Sequence, residues 1–219
     1  MIAIVGLLAL LGCVAAAPEQ RIVNGQDAEY GDHPYICSLQ SRSGGQWYHI
    51  CGAVLWNNEY VVTAAHCLGN TAGSYRTVCG EHRLNDNDGF EVTRPCLTYV
   101  MHPQYNGNAA GFPNDIAVME FASVNFNDYL RPNRFPEQGE SFEAETCQLS
   151  GWGRLSGGGS LPNTLQRVNI QKITNSQCQS EWSGISGASI NSGHICFLDE
   201  QGNPNEPASA CSVSIEYFH

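Results

Sequence analysis

Apolar residues along this chain come in short runs and alternations, and turn residues separate them. Ile50 to Trp56 is one apolar run, Asn57-Asn58 is a turn signal, and Tyr60-Val61-Val62-Thr63 is aromatic and β-branched. That order predicts a β-hairpin. Further strands are predicted at Leu97 to Met101, Ile116 to Phe121, Cys147 to Ser150, Leu165 to Ile173 and Gly193 to Leu198. Clusters such as Asn106-Gly107-Asn108 and Asn203-Pro204-Asn205 fall between strands, and Gly157-Gly158-Gly159-Ser160 reads as a surface loop. Short strands without intervening long helical patterns predict an all-β barrel or sandwich, not alternating β and α. A modest composition break near Tyr129-Leu130-Arg131-Pro132-Asn133 divides the chain into two candidate halves.

The start of the chain breaks this pattern. Ile2 to Val14 is apolar and is followed by Ala15-Ala16-Ala17. This predicts a signal peptide over residues 1–16, cut after Ala16, since the run is too short to span a bilayer. A secreted, extracellular protein is therefore expected. The 219 residues fit one domain. Asp plus Glu number 21 against 10 Lys plus Arg, a formal charge of -11. That charge argues against nucleic acid or an anionic membrane as partner, because both repel an acidic surface.

Export makes cysteines readable as disulfides. Cys13 leaves with the signal peptide, and nine remain: Cys37, Cys51, Cys67, Cys79, Cys96, Cys147, Cys178, Cys196 and Cys211. An odd number requires a free thiol, a partner in another chain, or a partner absent from this sequence. Metal binding is the competing use, and no Cys-x-x-Cys spacing supports it.

Four segments carry candidate chemistry. Arg21-Ile22-Val23-Asn24-Gly25 reads either as a processing site that frees an amino terminus at Ile22 or as an ordinary N-terminal strand. In Thr63-Ala64-Ala65-His66-Cys67, His66 follows a β-branched strand and adjoins a cysteine; it is either a rigidly held general base or one structural histidine among seven. Asn114-Asp115-Ile116-Ala117 puts a carboxylate at the head of an apolar strand, where it needs a hydrogen-bond partner such as an imidazole N–H, or serves as a turn residue. Glu81, Asp88 and Glu91 lie on one turn-rich loop, which suits Ca²⁺ or a solvated acidic surface equally.

Together these segments resemble the trypsin–chymotrypsin family of secreted serine proteases, in order and in spacing. His102-Pro103-Gln104-Tyr105-Asn106, Gly151-Trp152-Gly153 and Leu161-Pro162-Asn163-Thr164-Leu165-Gln166 add to the resemblance, which covers Arg21 to about Cys211. It implies two antiparallel Greek-key β-barrels with the active-site cleft between them. The domain plan is then a signal peptide (1–16), a short propeptide (17–21) and a protease domain (22–219), with a first barrel over about 22–130 and an incomplete second over about 131–211. The resemblance makes His66 the general base, Asp115 its orienting carboxylate, and Arg21-Ile22 the activation cleavage site. It pairs Cys51 with Cys67 and Cys178 with Cys196; the first bridge should stabilise by about 3 kcal/mol in the chain-entropy model. Of Cys37, Cys79 and Cys96, two are left to pair. Ser209 matches the base of the primary specificity pocket, and a serine there implies a preference for apolar over basic side chains. The family's structural calcium would take Glu81 and Glu91, and no cofactor is required. Expected partners are protein or peptide substrates and protease inhibitors, met by a monomer.

The resemblance stops after Ser209-Ala210-Cys211. The family continues into Gly-Asp-Ser-Gly-Gly-Pro, whereas this sequence reads Ser212-Val213-Ser214-Ile215-Glu216-Tyr217-Phe218-His219. Counted from Cys211, Val213 and Ser214 replace the glycine and the aspartate, and Ile215 falls on the nucleophile. β-branched residues are poorly suited to a turn that must aim N–H groups at an oxyanion. Residues 212–219 are read as an unrelated tail on a C-terminally truncated domain that lacks its nucleophile, a loss of about 10⁶ in kcat for a comparable triad. Two functions stay in view: a secreted serine endopeptidase by family, and a non-catalytic homologue acting as an extracellular binding protein.

Overall fold

The computed structural model describes residues 25–137, 140, 142, 146–155, 159–184 and 189–198. The signal segment, Arg21, Ile22, Ser209, Cys211 and residues 212–219 lie outside the described residues.

Six antiparallel strands close a barrel. They are β2 (Ile36–Ser43), β3 (Gln46–Leu55), β4 (Tyr60–Thr63), β5 (Tyr75–Cys79), β6 (Val92–Met101) and β7 (Ala117–Phe121), joined in the spatial order β2-β3-β4-β7-β6-β5. The turn between β3 and β4 is held by Asn57, whose Oδ1 accepts the Glu59 and Tyr60 N–H groups at 2.8 and 3.0 Å. Alternation on each strand fills the barrel interior: Cys37 and Leu39 from β2, Cys51, Ala53 and Leu55 from β3, Met119 and Phe121 from β7.

Residues 36–40 of β2 and 51–55 of β3 are buried on both faces. Ile36 and Val54 point out of the barrel and pack with Ala28, Tyr35, Trp152 and Leu165. This second cluster fixes the barrel against a four-stranded sheet. That sheet is centred on β9 (Gln166–Ile173), with β8 (Thr146–Gly151) along one edge; β1 (Gln26–Asp27) and β10 (Cys196–Leu198) share the other edge at its two ends. The start of the described chain thus pairs with the second sheet and not with the barrel. Helix α1 (Asn175–Glu181) covers this sheet's end, capped by the Thr174 hydroxyl, which accepts the Gln177 N–H at 3.1 Å. The architecture is all-β and fits two packed antiparallel β units.

Among the described residues three disulfides staple the fold: Cys51–Cys67, Cys178–Cys196 and Cys37–Cys79. The third joins residues directly opposite on β2 and β5 and closes the barrel seam. Cys96 is a buried free thiol, its pKa raised to about 11 by burial. No helix among the described residues is long and apolar enough to cross a membrane.

Candidate active site

β4 and β7 are antiparallel neighbours, with Thr63 opposite Ala117. The residues just after β4 and just before β7 therefore emerge at one end of the barrel. Past Thr63 the chain makes a single 3₁₀ turn, Ala65–Cys67, closed by hydrogen bonds from Cys67 N to Ala64 O and Leu68 N to Ala65 O at 3.3 and 3.0 Å. Ala64 and Ala65 are fully buried, Thr63 donates its hydroxyl to Gly52 O at 2.8 Å, and the Cys51–Cys67 bridge ties the turn to β3. Within this anchored turn His66 alone is exposed.

Asp115 arrives from the other side. Asn114 adopts φ 61°, in the left-handed region that Asn tolerates, and its carbonyl accepts the Ile116 N–H at 2.8 Å. Asp115 Oδ1 then accepts the His66 backbone N–H at 2.8 Å, and Oδ2 faces His66 Nδ1 at 2.6 Å. An ionised carboxylate only accepts, so Nδ1 carries the ring proton and Nε2 keeps its lone pair. No described residue engages Nε2, and the His66 side chain is 40% exposed. The arrangement can take a proton from a hydroxyl brought to Nε2. Cys51, His66 and Cys67 also stand close enough to suggest a metal, but both sulfurs are spent in a disulfide.

The acidic loop is held differently. Glu81 is buried, its Oε1 has no hydrogen-bond partner, and its pKa is pushed up to about 8 by burial first and by the Glu91 and Asp88 charges next. Asp88 is taken by the Arg83 guanidinium, which holds its carboxyl below the usual range. Glu91 accepts the Asp88 and Gly89 N–H groups at 2.5 and 2.8 Å. Among the described residues the Glu81, Asp88 and Glu91 oxygens do not converge as a shared ligand set, and Arg83 already neutralises Asp88.

Sequence reasoning missed one part-buried polar pair. His49 Nδ1 lies 2.7 Å from Ser38 Oγ, and burial lowers the His49 pKa to about 4. Its signal was Ser38 and Gln40 alternating with the apolar Cys37 and Leu39 on β2, with His49 opposite Gln40 on β3. Ser38 is fully buried and out of reach of any substrate.

Comparison with known proteins gives a consistent result. The Trypsin family model matches residues 22–208. The chain is 42% identical over 217 residues to a "Chymotrypsin-like serine proteinase" of Haliotis rufescens, covering 94% of this chain and 81% of that one. It is 34% identical over 185 residues to "Fibrinolytic enzyme, isozyme C" of Lumbricus rubellus, covering 83% and 76%. With "Chymotrypsin-like elastase family member 1" of Macaca fascicularis it shares 35% over 178 residues, covering 80% and 66%.

Proposed function

The chain belongs to the trypsin family, whose members are serine endopeptidases, and on that premise we propose that His66 and Asp115 are the base and the orienting carboxylate of a secreted serine endopeptidase. One observation carries this reading: Nδ1 of His66 is bound by Asp115 at 2.6 Å while Nε2 stays exposed and unengaged. In the family's mechanism a serine hydroxyl gives its proton to that nitrogen and attacks the scissile carbonyl. An acyl-enzyme forms and water then releases it. Activation would follow a cut between Arg21 and Ile22. Ser209 would line an apolar primary pocket, and a structural calcium would bind at Glu81, Asp88 and Glu91.

A Gly-Asp-Ser-Gly-Gly segment is not among these 219 residues, and Val213, Ser214 and Ile215 stand where the register would put part of it. The 219-residue polypeptide is therefore proposed to be catalytically silent. The second reading is a non-catalytic homologue that binds an extracellular partner.

A serine-reactive fluorophosphonate probe separates these readings. After a cut at Arg21-Ile22, the 219-residue chain should stay unlabelled. A chimera that continues from Cys211 with the corresponding segment of the Haliotis relative should be labelled and should cleave peptides after apolar residues. His66→Ala should abolish both. A folded chimera that is neither labelled nor active would sink the endopeptidase reading and leave the binding one.

A further inference from the structure

Asp115 ends a long connection that starts at His102, just past β6, and part of this connection reaches the second unit. Gly111 is the point of contact. It has φ 75°, and a Cβ there would overlap the Ser189 carbonyl oxygen. On the Gly111 carbonyl sits His194, with Nε2 at 2.6 Å. The other ring nitrogen, Nδ1, accepts the Asn191 backbone N–H at 3.1 Å. One nitrogen must accept and the other must donate, so both bonds exist only in the neutral ring protonated on Nε2.

His194 is itself firmly mounted. The Asn191 carbonyl accepts the Asn175 side-chain amide at 2.6 Å, and the Ile190 N–H donates to Gln179 Oε1 at 3.2 Å, both from α1. The Cys178–Cys196 disulfide binds the same helix to the strand that follows His194. The barrel side is less secure. Phe112 takes φ 45°, a conformation that such a residue keeps only where its surroundings impose it, and Asn114 takes φ 61°, which asparagine tolerates. Inside the connection, turn bonds from Ala109 N to Asn106 O and Phe112 N to Ala109 O, both 3.1 Å, and the Asn114 side chain on Gln104 O, hold the rest.

We propose that His194 is a positioning residue: its hydrogen bond to Gly111 latches the Asp115-bearing loop to the disulfide-stapled α1 segment and so sets the carboxylate beneath His66. The inference rests on His66 and Asp115 being the working pair. Its route runs from α1 through His194 and Gly111 to Asn114, whose neighbour is Asp115.

The test uses the full chain, oxidised and ¹⁵N-labelled, and no turnover. Ring correlation spectra should show His194 protonated on Nε2; an Nδ1-protonated ring overturns the latch. In His194→Ala the amides of Ala109, Phe112, Ile116 and His66 should exchange about tenfold faster, the order expected for one lost hydrogen bond. The barrel amides of Leu55 and Trp56 should be unchanged, and the His66 Nδ1 proton signal should broaden. His194→Gln, whose amide N–H reaches the same carbonyl, should restore most of the protection. Unchanged loop exchange in His194→Ala, or equal acceleration in the barrel, refutes the proposal. If His194→Ala does not fold, the wild-type tautomer and the retained protection in His194→Gln decide. Failure of the endopeptidase reading would show in the probe experiment and leave these outcomes intact.

Discussion

Asp115 grips His66 twice, Oδ2 on the ring Nδ1 at 2.6 Å and Oδ1 on the backbone N–H of the same residue at 2.8 Å. One carboxylate thereby fixes the ring's position, its rotation and its tautomer. Both residues hang from the ends of paired strands, so the grip follows from the register of β4 and β7.

Asp115→Asn should invert the tautomer. If the amide oxygen stays on the backbone N–H, the amide NH₂ turns toward Nδ1, which must then accept, and the ring proton moves to Nε2. Ring ¹⁵N spectra should show this switch in the 219-residue chain. In the active chimera kcat should fall by about 10⁴, the loss attached to the same change in this family's template triad. A loss below about tenfold would remove Asp115 from its assigned role.

The Cys37–Cys79 bridge should matter more to stability than either of the others. It closes 42 residues, against 16 and 18 for Cys51–Cys67 and Cys178–Cys196. The chain-entropy model gives about 4 kcal/mol for it and about 3 for each of the others. Urea unfolding of the Cys37→Ala/Cys79→Ala double variant should show the larger fall in midpoint. Equal falls would mean that unfolded-chain entropy does not set these contributions. Native Cys96 should resist alkylation until denaturant is added, since it is buried and its pKa is about 11.

Much of this was legible beforehand, and the misses have physical causes. The β3–β4 hairpin declared itself because Asn57-Asn58 separates an apolar run from a β-branched one. β2 did not, because Ser38, Gln40, Ser41 and Ser43 make it read as loop. It is a strand because its polar outer face is satisfied inside the protein: Ser38 meets His49, and the Gln40 Oε1 accepts Arg76 Nε at 2.8 Å. β5 is only five residues long and has Arg76 and Thr77 among its apolar residues, and α1 spans two helical turns with one buried residue. The Ala-Ala-His-Cys and Asn-Asp-Ile-Ala segments were visible as motifs, whereas the His194–Gly111 contact joins residues 83 apart in sequence and leaves no local trace.

Burial of His49 should make the fold acid-sensitive. Its native pKa of about 4 lies below the 6.5 of the unfolded chain, so between these values the unfolded state binds more protons. Stability should be unaffected by this group above pH 6.5 and should fall as pH drops from 6.5 toward 4, by about 3 kcal/mol at the lower end. His49→Gln keeps a partner for Ser38 and does not titrate. Unfolding free energies at pH 7 and pH 4.5 should therefore differ less in the variant than in the parent. Equal differences would place the acid sensitivity elsewhere.

Glu81 allows the proposed calcium site to be tested. Charged, it carries a buried oxygen that no protein donor reaches, and the Arg83 guanidinium is already committed to Asp88. If a calcium ion completes the loop, excess Ca²⁺ at about 100 times its Kd should stabilise the fold by about 2.7 kcal/mol, roughly 5–10 °C in Tm, and chelation should reverse this. Glu81→Gln separates the two contributions. Without calcium it replaces a carboxyl that its pKa of about 8 leaves largely protonated at neutral pH, so Tm should hold; with calcium the increment should vanish. No Ca²⁺-dependent shift in the parent at 10 mM, a concentration about ten times or more above the usual Kd of extracellular sites, would mean that the loop holds no metal and that Arg83 and Arg76 supply the positive charge.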